Sequence, residues 1–513
     1  MRYKTSLPQN IRNKVILAVC IPFLILVFLR INVLDNGDVG EDVYYHVTMA
    51  DLGPHAITAK TFPSMTMSIW ETTFADKELL FHLLLWGVRK TQACFGDSGL
   101  PPFHLPAFIF FLGALLAFVW SAHRLGSRDI VMFSLLLITI SPLFSSRILM
   151  LRPHTFAIAL MLLATVILLK IKTLRQLWQA VLLGVIFAWS YSNPHFVLLP
   201  AIIATVVQLS KRNYRVAVYL PLAAFVGILV GYTLHPQFPN TFIIWKVQCI
   251  DVIRQVFSKN SPVILGTEMY APGVTEWPYI FGIVLLFLIN CSAILWLVLG
   301  RRQKPGEYTL AVMAMSAVTL FGFFLSIRAI EYACPMTVLA SALLWGDIKD
   351  MISIQGRKLL FCIGVFVLVI SMSVTVPIIR RDLKALEKTP FMDFAEWAKK
   401  SNFKAGTVIG NVNWSDFSQL FFAAPQFRYL AGLDPMFAYN RFPEKTVALE
   451  RFRTGERLLS PKELEKVIDT KFVFVSKYMP QLSKDMYNMG YKIAYQGADG
   501  WLFYIAENKE SSE

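Results

Sequence analysis

About eleven apolar stretches recur along the chain, at roughly 14–34, 103–122, 129–148, 152–170, 176–192, 195–210, 215–234, 277–300, 306–326, 329–346 and 358–378. Each comes near the ~20 residues a helix needs to cross the hydrocarbon of a bilayer. In lipid no water serves backbone N–H and C=O groups, so stretches of this kind are confined to helices. Hydrophobic residues make up 55% of the 513 and charged residues only 16%, too little polar surface for a soluble protein of this length. The expected fold class is therefore an α-helical polytopic membrane protein. A bundle of about 11 spans occupies 1–382, and a small extracytoplasmic α/β domain occupies 383–513.

The basic residues orient such a bundle. The formal net charge is +15, which in a soluble chain would suggest nucleic acid. Here Lys and Arg gather in connectors between apolar runs: Met1–Lys14, His123–Arg128, Lys170–Arg175, Lys211–Arg215, Arg301–Lys304 and Lys349–Lys358. In those positions they set topology, face the cytoplasm and argue for no nucleic-acid partner. One count of crossings makes this consistent. The segment 79–96, whose apolar core of about eight to ten residues is broken by His82, Arg89 and Lys90, must lie in the interface as an amphipathic helix. Residues 35–102 then form one outward loop, and the tail after Pro377 is outward too. The first run is too long for a signal-peptide core and reads as an uncleaved anchor. The six cysteines form no CxxC and no framework, which predicts neither an essential disulfide nor a zinc cluster.

The outward loop opens on four carboxylates within eight residues, Asp35, Asp38, Glu41 and Asp42. Beside a bilayer such acids are costly unless they do chemistry or bind cations. If Glu41 to Leu52 is a helix, Asp42 and His46 are neighbours on one face. A carboxylate there could take a proton from a hydroxyl or amine, or hold a divalent metal cation. The structural alternative is a helix start whose acids favour the dipole. At the far end of the loop, in FADKELLFHLLL, Asp76, Glu78 and His82 either add to that site or cap the next helix. Arg147, Arg152 and His154, in SSRILMLRPHTF, suit a phosphate or diphosphate, or snorkel to headgroups. Arg152 stands out because Pro153 begins a helix. Arg328 and Glu331 in SIRAIEYACP are i,i+3 and either pair with each other or lend Arg328 to the phosphate. His195 and His235 share this outward face.

The tail changes character. Its apolar runs shorten to strand length at 407–412, 428–432, 471–475, 491–497 and 501–506, with helical patterns around 389–400, 462–469 and 479–489. Trp414, Asp416 and Asp434 fit turn and packing roles better than acceptor contact, and Asn413-Trp414-Ser415 matches a glycosylation sequon of the length that arises by chance. The terminal KESSE is expected to be disordered. There is no P-loop, GxSxG, HExxH or paired CxxC, which counts against an ATP-driven pump, a serine hydrolase and a zincin.

The layout of first span, outward loop opening on GDVGEDVYYHVTMADLG, non-crossing segment 79–96, many-span bundle and outward tail resembles the GT-C class of membrane glycosyltransferases. Protein O-mannosyltransferases, aminoarabinose transferases and oligosaccharyltransferase catalytic subunits belong to that class. The resemblance is one of architecture over most of the chain and of sequence around 38–55, 74–82 and 147–154. It implies a GT-C-like bundle and inverting transfer of a hexose or pentose from a polyprenyl-phosphate-linked donor to a lipid, glycan or protein acceptor. It also implies an acid of the first loop as base or metal ligand, matched by position to Asp42 or Glu41. The Asp-Glu pair of the O-mannosyltransferases is reversed here as Glu41-Asp42, and the double-Trp acidic motif of oligosaccharyltransferases is absent, so neither the acceptor nor metal dependence carries over.

The expected site is then Asp42, Glu41 and Asp38 as catalytic acids, and Asp76, Glu78, His46 and His82 around the acceptor. Arg152, Arg147, Arg328 and His154 would hold the donor phosphate. Asp42 and Asp76 would be the ligands if a divalent cation is used. The rival classes are a polysaccharide polymerase or ligase and a lipid or sugar flippase, although no related halves are apparent and the acids lie in a loop rather than mid-span. The compact chain and its few sequons favour a bacterial inner membrane with a periplasmic site over the endoplasmic reticulum.

Overall fold

The computed structural model describes residues 9–34, 37–94, 101–127, 129–258 and 261–505. Asp35 of the acidic run, residues 95–100 of the first loop, Arg128 of a basic connector and the terminal KESSE lie outside them. The chain divides into two compact units. One comprises Met1–Val39, Phe95–Thr233 and Glu268–Glu387, and the other Gly40–Cys94, Leu234–Thr267 and Lys388–Glu513.

The first unit is helical, and each of the eleven apolar stretches forms helix in it. Among the described residues six helices are long and apolar enough to cross a membrane: Arg12–Val33, His104–Leu125, Tyr214–Thr233, Val274–Gly300, Ile327–Met351 and Ile354–Leu386. A seventh crossing arises if the pair Ile130–Leu137 and Pro142–Ile148, bent by 87°, counts as one. The bend falls where Ser141 caps Pro142–Ile148 by accepting a hydrogen bond from the Phe144 N–H at 3.3 Å. Pro153–Leu169, Trp178–Ser190, Pro194–Ser210 and Glu307–Phe323 are 10–17 residues long. At 1.5 Å per residue a 17-residue helix rises about 26 Å, short of the ~30 Å of hydrocarbon. Counting apolar stretches therefore exceeds the number of helices that length and composition qualify as spans.

Two packing devices recur in this unit. Gly184 and Gly227 bring the helices Trp178–Ser190 and Tyr214–Thr233 into backbone contact. A Cβ on Gly227 would sit 2.1 Å from the Val181 carbonyl oxygen, and one on Gly184 2.3 Å from that of Ala224. With Gly231 one turn on, this is the small-residue crossing that packs helices in lipid, and the Trp189 indole N–H donates to the Gly231 carbonyl at 2.7 Å. Elsewhere, buried hydroxyl and amide groups link helices. Ser316 and Thr337 lie 2.6 Å apart, and Ser341 donates to Asn290 at 3.0 Å.

The second unit is built around a five-stranded sheet. Its strands are β1 (Val408–Asn411), β2 (Arg428–Tyr429), β3 (Phe472–Ser476), β4 (Lys492–Gly497) and β5 (Gly500–Tyr504), in the order β2-β1-β3-β5-β4. β1 runs parallel to β2 and β3, and β5 runs antiparallel to β3 and β4. One face of the sheet and its helices bury Val412, Leu430, Phe452, Leu464, Val473, Met486 and Phe503. The strands and the helices Met392–Lys400, Pro461–Ile468 and Pro480–Asn488 fall on the patterns read from the sequence. Phe417–Ala423, Pro435–Arg441 and Pro443–Arg453 were not legible there.

Residues of the first loop complete this unit. The stretch 64–67 adds to the free side of β2, with Thr66 N–H donating to the Tyr429 carbonyl and Met67 N–H to that of Leu430, both at 2.8 Å. Helix Asp42–Leu52 packs on Phe417–Ala423, with the Tyr44 ring 5.3 Å from that of Phe422 and the Tyr45 ring 6.4 Å from that of Phe417. The loop 40–94 thus folds with the residues after 388, whereas the sequence suggested a boundary at 382 with the loop on the membrane side.

Candidate functional site

In the second unit the acidic motif starts helix Asp42–Leu52. Glu41 occupies the N-cap position, but its carboxylate makes no capping bond. It lies 3.7 Å from the Lys388 ammonium instead. Asp42 is in the first turn, and one turn on His46 is almost fully buried.

His46 begins a hydrogen-bonded chain. Its Nδ1 lies 2.8 Å from His82 Nε2, and His82 Nδ1 lies 2.6 Å from Asp76 Oδ2. Asp76 is held in turn. Its Oδ1 accepts from the Glu78 N–H at 3.0 Å and its own N–H donates to Gln237 Oε1 at 2.7 Å. Gln237 donates on to the Ile57 carbonyl at 3.1 Å. The polarity of the chain follows from its carboxylate end. An ionised Asp76 only accepts, so His82 carries its proton on Nδ1. Neutral His82 then accepts at Nε2, which places the His46 proton on Nδ1 and makes Nε2 the basic nitrogen of His46. Asp76 therefore does both things the sequence left open: it shapes the turn before helix Leu79–Cys94 and it orients a histidine pair. Glu78 is buried beside it, with Lys77 at 3.5 Å, and burial raises its carboxyl above the ordinary range. Burial likewise pushes the Tyr45 phenol up, and the nearby acids Asp76, Glu78 and Asp42 push the same way.

These acids do not assemble a metal centre. Among the described residues no three His, Cys, Asp or Glu side chains gather as a ligand set, and Asp76 already serves His82 and Glu78 with its two oxygens. The Asp42–Asp76 pair suggested by the sequence is joined by no third such ligand among the described residues.

Asp416, in the same unit, is buried and accepts from the Asn413 amide at 3.0 Å. Burial pushes its carboxyl up to about 7, against the pull of Ser476 and Asn413. An aspartate raised on folding keeps a proton that the unfolded chain gives up. Stability therefore falls as pH climbs from about 4 to about 7 and is level above. Asp416→Asn should melt higher than wild type at pH 8 and alike near pH 4. Equal melting at both would mean that the carboxyl ionises without penalty. Asp434 caps the next helix, accepting from Met436 N–H at 2.8 Å.

In the first unit the predicted arginines converge. Arg147 donates from Nε to Glu331 at 2.8 Å and from Nη1 to Glu268 at 2.9 Å. Arg328 donates from Nε to Glu268 at 2.7 Å, and the Arg152 guanidinium reaches the same carboxylate at 3.4 Å. His154 lies with Nε2 2.8 Å from the Arg147 carbonyl, so that nitrogen carries the proton, and with Nδ1 3.8 Å from Glu331. The i,i+3 pair Arg328–Glu331 expected from the sequence does not form. Each residue takes a partner from elsewhere in the chain. Glu268 was missed, because the three acids scattered through the long connector 235–276, Asp251, Glu268 and Glu276, carry no spacing signal. Burial alone would raise Glu268, but Arg328, Arg147 and Arg152 outweigh it and hold its carboxyl well below the usual range.

Asp38, in the same unit, is centred on Arg30 and also feels the charge of Arg152. It is fully buried and takes two bonds from Arg30 Nη2, both at 2.6 Å. Arg30, a charge inside the first apolar stretch that sequence reading passed over, also donates to His104 Nδ1 at 3.1 Å and to the Leu149 carbonyl.

No protein-family model matches the chain, and no curated protein sequence does. Solved structures do. The oligosaccharyltransferase of Archaeoglobus fulgidus in its apo form is similar over 96% of this chain and 74% of its own, at 14% identity and a TM-score of 0.59. ArnT of Cupriavidus metallidurans bound to undecaprenyl phosphate is similar over 96% and 98%, at 12% identity and a TM-score of 0.54. The mycobacterial arabinofuranosyltransferase AftD covers 98% of this chain with 40% of its own length, at 14% identity and a TM-score of 0.57. The chain has the fold of the GT-C membrane glycosyltransferases.

Proposed function

We propose that the protein is a membrane glycosyltransferase that moves a sugar from a polyprenyl-phosphate-type donor to a lipid, glycan or protein acceptor on the non-cytosolic face. The observation that carries this reading is the buried Asp76–His82–His46 chain on the loop that bears Asp42. A fixed-tautomer imidazole one helical turn from Asp42 is equipment for holding an acceptor while its proton is taken, which sugar transfer needs and passive carriage of a lipid does not. Similarity of fold to an enzyme solved with undecaprenyl phosphate supports a lipid-linked donor.

In the proposed reaction Asp42 takes the proton of the acceptor hydroxyl or amine. The nucleophile attacks the anomeric carbon, the bond from that carbon to the phosphate oxygen breaks with inversion, and polyprenyl phosphate leaves with the electron pair. Glu41, Glu78 and His46 position the acceptor, with His82 and Asp76 fixing His46. Arg152, Arg147 and Arg328, with His154 orienting Arg147 through its carbonyl, stabilise the charge that grows on the leaving phosphate. Asp38 acts through Arg30 as a positioning residue. The proposed topology keeps eleven crossings, with the shorter helices among them, in a bacterial inner membrane and with residues 35–102 and the tail in the periplasm. Lipid and glycan profiling of a deletion strain, followed by a transfer assay with the missing sugar on labelled polyprenyl phosphate, tests the reading. Release of labelled polyprenyl phosphate with a glycosylated product is expected. Vectorial movement of the intact lipid without cleavage would make the protein a flippase.

A further inference from the structure

The three arginines of the first unit share one carboxylate that the proposed reaction does not use. Arg147 sits in helix Pro142–Ile148, Arg152 at the start of Pro153–Leu169, and Arg328 in the turn before Ile330–Ile348. Three separate elements thus aim guanidinium groups at one point. Glu331 is fully buried and takes only Arg147 among them, leaving Glu268 to face all three. Its carboxylate accepts with both oxygens, Oε1 from Arg328 and Oε2 from Arg147 and Arg152, in the forked manner in which arginines take a phosphate.

Glu268 is also the member best able to leave. It lies on the single turn Thr267–Met269, and its side chain is 21% exposed, against 1% for Glu331. Its backbone is pinned separately, through the Ser326 hydroxyl donating to the Glu268 carbonyl at 3.0 Å, so the side chain can swing without moving the loop. Charge favours the exchange, because the three groups that meet Glu268 are all cationic donors able to take a phosphate.

Resting on the proposed donor chemistry, we infer that Glu268 is an intramolecular stand-in for the lipid phosphate. Its carboxylate occupies the three-arginine site at rest and is displaced when a polyprenyl phosphate enters. The exchange is graded by charge. A sugar-phosphate diester carries one negative charge and only matches Glu268. The phosphomonoester released by transfer carries up to two and outcompetes it. The arginines therefore grip the leaving group more tightly than the intact donor, and an interaction that strengthens along the reaction speeds it.

Titration of the purified protein in detergent with undecaprenyl phosphate, undecaprenol and inorganic phosphate tests this. Removing the competitor in Glu268→Gln should tighten undecaprenyl phosphate binding at least tenfold and leave undecaprenol unchanged. Glu268→Asp keeps the charge but is one methylene too short to reach all the arginines. It should give a smaller gain in the same direction and serves if the Gln variant fails to fold. Arg328→Gln should weaken the lipid phosphate at least tenfold. Inorganic phosphate should stay far weaker than the lipid throughout. If Arg328→Gln weakens binding while both Glu268 variants leave it unchanged or weaker, the stand-in is overturned and the phosphate site survives. If Arg328→Gln has no effect, or undecaprenol binds as well as its phosphate, the donor reading of the cluster falls with it. Inorganic phosphate binding as tightly as the lipid would make this a free-anion site and overturn the lipid assignment.

Discussion

Asp42→Asn is expected to abolish sugar transfer while leaving the protein folded. The substitution is close to isosteric and falls in the first turn of helix Asp42–Leu52, so the backbone of that helix is left as it is. Loss of a positioned base costs typically 10²–10⁴ in rate, and the loss should exceed that of any substitution at Glu41, which lies 3.7 Å from the Lys388 ammonium. His46→Ala should be milder, slowing transfer with its pH profile unchanged, because His46 acts on the acceptor through geometry. Labelled-donor turnover at matched protein, with a melting curve for each variant, reads both effects. Full turnover in Asp42→Asn would remove Asp42 from the role and shift the base to His46.

The largest effect on stability is expected at Arg30 and Asp38. Both side chains are fully enclosed, and the pair is bidentate. Taking two charges out of water is costly, and their attraction offsets that cost only while both are present. Asp38→Asn leaves the guanidinium without its counter-charge in an apolar helix and should cost about 3–5 kcal/mol. In a protein of this size that is a fall of many degrees in detergent, or loss of expression. The double variant Arg30→Met with Asp38→Leu removes both charges and should recover part of the loss, since the Arg152 charge also acts on Asp38. A double variant no more stable than Asp38→Asn would mean that the pair itself, rather than the orphaned charge, holds the first span to its loop.

The helices and strands were legible because their signals are local. A run of about twenty apolar residues, or the alternation in KFVFV and WLFYIA, says helix or strand whatever surrounds it. Crossings were less legible, since 129–148 reads as one apolar stretch but breaks at Ser141-Pro142 through 87°. Individual site residues were nominated by type; Asp76, His82 and His46 lie in one hydrogen-bonded cluster, and Arg147, Arg152, Arg328 and His154 in another. Their partners were not legible. Glu268 and Arg30 carry no motif, and Asp416 gives no sign in the sequence that burial will hold it near neutrality.

By itself the sequence determined that this chain must place helices in a bilayer, that its tail alternates strand and helix, and that its first loop opens on a run of acids. Those conclusions rest on the transfer of side chains and backbone between water and lipid, which each segment settles alone. Which charge meets which was left to the tertiary structure. His46 and His82 are 36 residues apart and Arg147 and Glu331 are 184 apart. A charge is tolerated in low dielectric only beside its partner, and that partner is chosen by how distant helices pack.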